Sequence, residues 1–414
     1  MPRTHNLTIA ALAALCLLAG CSGPQSAPAV FSAPQAPIAR AFTPTPALAA
    51  NSQPARPPQS QPATPAAIAV QATPVNAPAP AAAPAQLGPL SPLGRTIDNY
   101  LNDIVNAGWF QGAVLVAHNG KVIISKGYGM ADAANGTPNS AQTRFRLASI
   151  TKQFTAAAIM ILQVRGKLNV QDAICAHLPD CPDAWRAVTI QHLLTHTSGL
   201  PNYTDFGSYE LSQMQPATPD QLIARFRNEP LLYVPGTTYS YGNSDYVLLG
   251  RIIEHVSGQP YADFLRDSIF APLQMRDSGV ETGLGNGPGY AVGYGSVGAP
   301  ALPLDTSTLF AAGAIYSTVE DMYRWDQALY TDALLPAALR SQMFTPFLRD
   351  YAFGWKVDRP GDRLRISHPG MIDGFATYIA RYPDDHVTVI VLGNLDSADA
   401  AGIGDYLASL VFGS

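Results

Sequence analysis

The chain has 414 residues, 47% of them hydrophobic and 13% charged, with a formal net charge of −5 at pH 7. A mildly acidic chain without a single-sign charge block lacks the footprint of a nucleic-acid binder, and no polyelectrolyte partner is expected. Aromatic and branched apolar residues become dense only after about residue 95, so one large core is expected in the remainder.

Residues 1–20 read as an export signal. Arg3 supplies a positive n-region, and Leu7 to Leu18 is an apolar run too short to span a membrane. The run closes on Leu18-Ala19-Gly20-Cys21, which resembles the bacterial lipoprotein box. That resemblance implies cleavage before Cys21, lipidation of its thiol, and a lipid-anchored place in the cell envelope, facing the periplasm. An ordinary secretory signal without lipid is the alternative. Residues 21–92 are Ala, Pro, Gln, Ser and Thr with Arg40 and Arg56 as the only charges, and 17 of the chain's 36 prolines fall there. Such a stretch has little to bury and cannot hold continuous helix or sheet, so it is expected to be a disordered tether. No later segment is apolar and long enough for a transmembrane helix.

Residues 93–414 carry the folded domain. Ile97, Leu101, Ile104 and Val105 mark an amphipathic helix from about Arg95. Two strands, 113–117 and 121–125, flank Asn119-Gly120, the strongest short hairpin signal. The run from Phe154 to Val164 is apolar on nearly every face, which predicts a buried central helix stopped by Gly166. Further helices are expected at 189–195, 218–227, 243–257, 318–329, 336–343 and 398–411. A second hairpin joins 377–381 to 386–392 through Pro383-Asp384-Asp385. Sheet at both ends with helices between them reads as a mixed α/β domain with an inserted helical subdomain.

Cys175 and Cys181 sit six apart in Cys-Ala-His-Leu-Pro-Asp-Cys. In an exported chain they read as a disulfide closing a short loop, worth about 2–3 kcal/mol by loop entropy. A metal site using His177 is the rival, but two thiols and one imidazole within seven residues wrap a tetrahedron poorly. His192 and His196, at i and i+4 on a helix, lack a following glutamate and a third ligand, which favours a structural role. No metal or other cofactor is expected.

Ser149 and Lys152 lie three apart in Arg146-Leu-Ala-Ser149-Ile-Thr-Lys152-Gln153, in the expected first turn of the central helix. At that spacing the side chains are neighbours. A desolvated lysine can take the proton that makes a serine hydroxyl nucleophilic. A capping serine ahead of an exposed lysine would give the same tetrad. Two later stretches hold what such a pair needs. Tyr241-Gly242-Asn243 offers a phenol for proton exchange and a carboxamide for a substrate amide. In Ser367-His368-Pro369-Gly370-Met371, strand alternation puts His368 and Gly370 on one face, with Gly370 leaving room for an acylated serine. Pro369 has no N–H to give a neighbour, so that strand edge should be open, and the Met371 and Ser149 N–H groups would form an oxyanion hole.

In this order, Ser149-x-x-Lys152, Tyr241-x-Asn243 and His368-x-Gly370 resemble the three motifs of serine β-lactamases and penicillin-binding proteins. The chain is most similar to the branch of class C β-lactamases, DD-peptidases and esterases. Thr189-Ile-Gln-His-Leu-Leu-Thr-His-Thr-Ser-Gly-Leu200-Pro201 and Pro235-Gly236-Thr237 match stretches typical of that branch. The resemblance covers about residues 95–414 and implies the β-lactamase/transpeptidase-like fold. It also implies acylation of Ser149, proton transfer by Lys152 and Tyr241, a substrate amide held by Asn243, and oxyanion donors at Ser149 and Met371. Class C β-lactamases usually carry lysine where this chain has His368. A neutral imidazole cannot hold a substrate carboxylate as an ammonium can, so weak action on β-lactams is expected. The expected substrate is a peptidoglycan-derived D-Ala peptide or a small amide or ester. A carboxylesterase, or a non-catalytic binder of penicillin or peptidoglycan that acylates and stalls, are the alternatives.

Overall fold

The computed structural model describes residues 89–285 and 287–413. The export signal, Cys21 and the chain up to residue 88 lie outside the described residues. The first helix, α1, spans Pro92–Asn106, opened by Ser91, whose hydroxyl accepts from the Gly94 N–H at 3.0 Å. Strands β1 (Gly112–His118) and β2 (Lys121–Tyr128) follow. Asn119 and Gly120 take φ of 52° and 72°, as a two-residue turn between right-twisted strands requires. The buried helix α2 covers Thr151–Val164, and every residue from Thr151 to Leu162 is buried. Gly166, at φ 64°, ends it. Helices α3 (Ile190–Leu194), α4 (Asn243–Ser257) and α5 (Val319–Ala328) fall where the sequence placed them. The chain returns to sheet through β3 (Lys356–Asp358), β4 (Arg365–Ile372), β5 (Phe375–Tyr382) and β6 (Val387–Gly393), and closes with α6 (Ala400–Phe412).

The two hairpins belong to one six-stranded antiparallel sheet, ordered β3-β4-β5-β6-β1-β2. Its centre joins the two ends of the domain, with Gly112 opposite Gly393 and His118 opposite Val387. Side-chain alternation divides the interior in two. Val114, Val116, Val389 and Val391 pack with Ile97 and Leu101 of α1 and Leu407 of α6. Ala113, Leu115, Ile390 and Leu392 face the inserted helices and share a core with Phe154, Ile159 and Trp325. A strand buried on both faces reads as a continuous apolar run, which is why β6 is Val-Thr-Val-Ile-Val-Leu-Gly.

The sequence reading missed several short strands, among them Phe145–Arg146, Gly279–Val280 and Ile315–Ser317, which form a small second sheet, and three further pieces. Strand β3 is short, and its Lys356 and Asp358 carry no apolar alternation. Tyr261–Leu265 continues into a wider turn over Arg266–Phe270, burying Tyr261, Phe264, Leu265 and Ile269. That spacing was legible, and Pro260 marks its start. Tyr209–Ser212 forms a single turn without a buried residue. Cys175 and Cys181 are disulfide-bonded, with Cα atoms 5.2 Å apart. Among the described residues no helix is long and apolar enough to cross a membrane.

Candidate active site

Ser149 stands in a 3-10 turn, Ala148–Ile150, that runs directly into α2 rather than in the α-helix itself. The preceding Ala148 has φ 50°, a left-handed conformation costly for a residue with a Cβ. Its surroundings impose it. The Leu147 N–H donates to Ile315 O at 2.8 Å, and the Thr377 hydroxyl donates to Leu147 O at 2.9 Å. Strand β4 presses on the same turn through Gly370. A Cβ there would lie 2.3 Å from Leu147 O and 3.2 Å from the Ala148 Cβ. This corrects the expectation that Gly370 clears space for an acylated serine. The space it clears is filled by the backbone that carries Ser149.

Lys152 has no exposed surface. Its Nζ lies 3.1 Å from Ser149 Oγ, 2.9 Å from Asn243 Oδ1 and 2.9 Å from Ala312 O. Burial pushes its pKa from 10.5 down to about 7. Asn243 Oδ1, as the contact assigns it, and Ala312 O can only accept. A neutral amine would spend its two N–H bonds on them and turn its lone pair to the Ser149 hydroxyl. The geometry is that of a base already aimed.

Tyr241 ends the loop before α4, with Lys152 Nζ 4.8 Å from its ring centroid. The residue is 36% exposed, but desolvation around its hydroxyl raises the phenol above the usual value, while a hydrogen bond with Ser149 works the other way. At neutral pH the phenol therefore keeps its proton and can donate it. Asn243 is the first residue of α4, not part of the loop. Its Nδ2 donates to Thr204 Oγ1 at 3.1 Å, and its backbone N–H donates to Asn202 Oδ1 at 2.9 Å. Asn202 and Thr204 went unnoticed in the sequence, although they follow directly on the Ser198-Gly-Leu200-Pro201 stretch that drew attention.

His368 differs most from expectation. It is only 2% exposed, with Nδ1 2.6 Å from Pro369 O and Nε2 2.9 Å from the Tyr351 hydroxyl. The carbonyl fixes the ring proton on Nδ1, so Nε2 accepts from Tyr351. Both nitrogens are taken, and burial lowers the pKa to about 3. His368 has no donor left for a substrate. Met371 lies beyond the reach of β3, which pairs only with Arg365, Ile366 and Ser367. Its side chain is 71% exposed, on the stretch of strand edge that β3 leaves open.

Of the two histidines expected on one helix, only His192 lies on α3, where it forms a reciprocal capping pair with Thr189, whereas α3 ends at Leu194 and His196, at φ 55°, falls in the turn that follows. His196 is buried, with its ring centroid 4.3 Å from that of Tyr241. Asp245, its partner, was not singled out in the sequence.

Residues 97–412 match the model of the family described as Beta-lactamase. A penicillin-binding protein of Bacillus subtilis is 33% identical over 309 residues, spanning 69% of this chain and 68% of its own. The crystal structure of a penicillin-binding protein from Bacillus halodurans superposes with a TM-score of 0.68 at 27% identity, covering 75% of this chain and 99% of that one. A D-amino acid amidase from Ochrobactrum anthropi gives 0.69 at 25% identity, covering 78% of this chain and 99% of that one.

Proposed function

This chain belongs to the beta-lactamase family and is a serine hydrolase on that fold, and from this premise we propose that it works through an acyl-serine at Ser149 on small neutral amides and esters. D-amino-acid amides and short-chain esters are within that class, and peptidoglycan-type D-Ala peptides, which end in a carboxylate, are the anionic alternative. The observation that carries the reading is the contact set of Lys152, a buried amine with two carbonyl acceptors and one hydroxyl.

In the proposed reaction Ser149 Oγ attacks the substrate carbonyl while its proton passes to Lys152 Nζ. The oxyanion is held by the Ser149 and Met371 N–H groups. As the tetrahedral adduct collapses, the leaving nitrogen or oxygen takes a proton from the Tyr241 phenol, which is resupplied from Lys152. Water then attacks the acyl-serine, giving a proton back through the same groups, and the acid departs. Asn243 holds both Lys152 and the loop ahead of it.

The occupied nitrogens of His368 support weak action on β-lactams and on peptides that depend on a held carboxylate. The same feature favours the carboxylesterase variant of this reading. Export and anchoring through Cys21 are proposed on the leader sequence, which would place the enzyme at the cell envelope.

The test is one purified domain offered a D-Ala-D-Ala peptide, a D-amino-acid amide, a short-chain nitrophenyl ester and nitrocefin. Turnover of ester or amide, with nitrocefin slower, is expected. A fluorescent phosphonate should label Ser149 and leave Ser149→Ala unlabelled. Label elsewhere, or turnover surviving in Ser149→Ala, would overturn the assignment. Acylation without turnover would return the reading to a binder that stalls.

A further inference from the structure

Behind Tyr241 and Lys152 lies a buried polar cluster that the proposed reaction does not use. His196 stands in the turn after α3 at φ 55°, and Asp245 is the third residue of α4. Their side chains are 0% and 3% exposed. His196 Nδ1 lies 2.8 Å from Asp245 Oδ2 and also receives the Gly242 N–H at 3.3 Å. The Ser198 hydroxyl donates to Asp245 Oδ1 at 2.5 Å and accepts the Leu200 N–H at 3.0 Å. His196 O accepts the Ser240 N–H at 2.9 Å. His196 Nε2 is buried without a hydrogen-bond partner.

The proton count follows from these contacts. A backbone N–H can only donate, so a proton on Nδ1 would set two hydrogens against each other at the Gly242 contact. A bare Nδ1 has a single lone pair, which takes its main bond from a hydrogen on Asp245 at 2.8 Å and only a weaker share of the Gly242 N–H at 3.3 Å. The carboxyl group is the source of that hydrogen. Its other oxygen is free to accept from Ser198, as observed.

We infer that Asp245 is an uncharged carboxylic acid that donates to His196 and, through the Gly242 N–H, positions the Tyr241-Gly242-Asn243 segment without placing a negative charge behind Lys152. This rests on Lys152 being the base proposed above. A carboxylate at that position would favour the ammonium form and hold Lys152 out of use. The imidazole proton sits on Nε2, against the rings of Tyr246 and Tyr351, whose centroids lie 5.1 and 4.8 Å from that of His196. An aromatic face is a weak acceptor, which suits a donor that has no other partner.

Electrostatics agree with the geometry. Burial raises the Asp245 pKa and lowers that of His196, each toward its neutral form. The other titratable groups facing the pair are Lys152 of α2, Tyr233, Tyr239 and Tyr241 of the loop before α4, and Tyr246 of α4. Tyr351 and His368 complete the set. Burial raises all five phenols, and His368 is neutral until about pH 3. Lys152 is thus the group of this set that changes charge near neutrality.

Two variants and one spectrum test the inference. Asp245→Asn keeps a donor for His196 and an acceptor for Ser198, so kcat should stay within about threefold of wild type. The acid limb of kcat/KM should not move. Asp245→Leu removes the clamp, and kcat should fall about 100-fold with KM little changed, as misplacement of reacting groups does. Isotope-edited infrared spectroscopy at pH 7 should show a carboxylic-acid carbonyl band in wild type that is lost in Asp245→Asn. That spectrum reads the protonation state whether or not the substrate assignment holds. A carboxylate band at Asp245, or an acid limb displaced to lower pH in Asp245→Asn, would overturn the neutral acid. Wild-type kcat in Asp245→Leu would overturn the positioning role.

Discussion

Among the described residues one lysine and one arginine are buried, and their surroundings give them opposite fates. Arg381 of β5 is 2% exposed, and its Nε donates to Asp326 Oδ1 of α5 at 2.8 Å. Asp326 Oδ2 accepts the Thr388 hydroxyl at 2.6 Å, and the guanidinium lies 4.2 Å from the Tyr330 ring centroid. Lys152 is equally buried, but its direct partners are a carboxamide oxygen, a backbone carbonyl and a hydroxyl. One cation meets a full counter-charge, and the other meets only dipoles. A guanidinium keeps its proton and ties sheet to helix, whereas an amine among dipoles can give its proton up. A buried base thus becomes structural or chemical according to the partner that the fold supplies.

The largest effect should come from exchanging these fates. Lys152→Arg places a cation that cannot act as a base beside Ser149, and turnover of a nitrophenyl ester should fall by about 1,000-fold or more. Far-ultraviolet circular dichroism should show the fold retained. Substantial activity in that variant would mean that the base lies elsewhere. The converse break is Arg381→Met, which strands Asp326 as a buried unpaired charge. A loss of about 3–5 kcal/mol is expected in urea unfolding, with kcat of the folded protein unchanged. An unchanged midpoint would show that the pair contributes nothing net.

A pH profile then sharpens the contrast. The proposed base, Lys152, would work deprotonated, and burial sets its pKa to about 7. Thus kcat/KM should fall tenfold per unit below about pH 7 and level off above it. Arg381→Met should leave that limb where it is. A limb near 10 would mean that Lys152 is solvated in the working enzyme. The smallest effect belongs to the disulfide. Reducing Cys175–Cys181 opens a loop of a few residues, so about 2 kcal/mol of stability is at stake, with no change in kcat.

Sequence spacing already contained much of the fold and of the site. Apolar residues on every face specify α2, Asn119-Gly120 specifies the first hairpin, and Ser149 and Lys152 are adjacent because three residues make nearly one helical turn. Helix α4 occupies the expected span, 243–257, because its apolar period and its terminal Gly258 are local signals. These features depend on neighbours a few positions away, and such neighbours are visible in a chain of letters.

The tertiary structure decided which distant group each side chain meets. Lys152 finds its carbonyl at Ala312, 160 residues on, and Asp245 finds His196 across 49 residues. Gly370 looked like room for a substrate until the 147–148 backbone was found in that space. His368 looked like a substrate ligand until Tyr351 and Pro369 O were seen to occupy its nitrogens. Periodicity says which face of an element is buried, but not what lies against it. That is settled when the sheet joins the two ends of the domain and the inserted helices close over it. Proton affinities follow from the same closure, since they depend on desolvation and on the nearest charge, and neither is a property of the residue type alone.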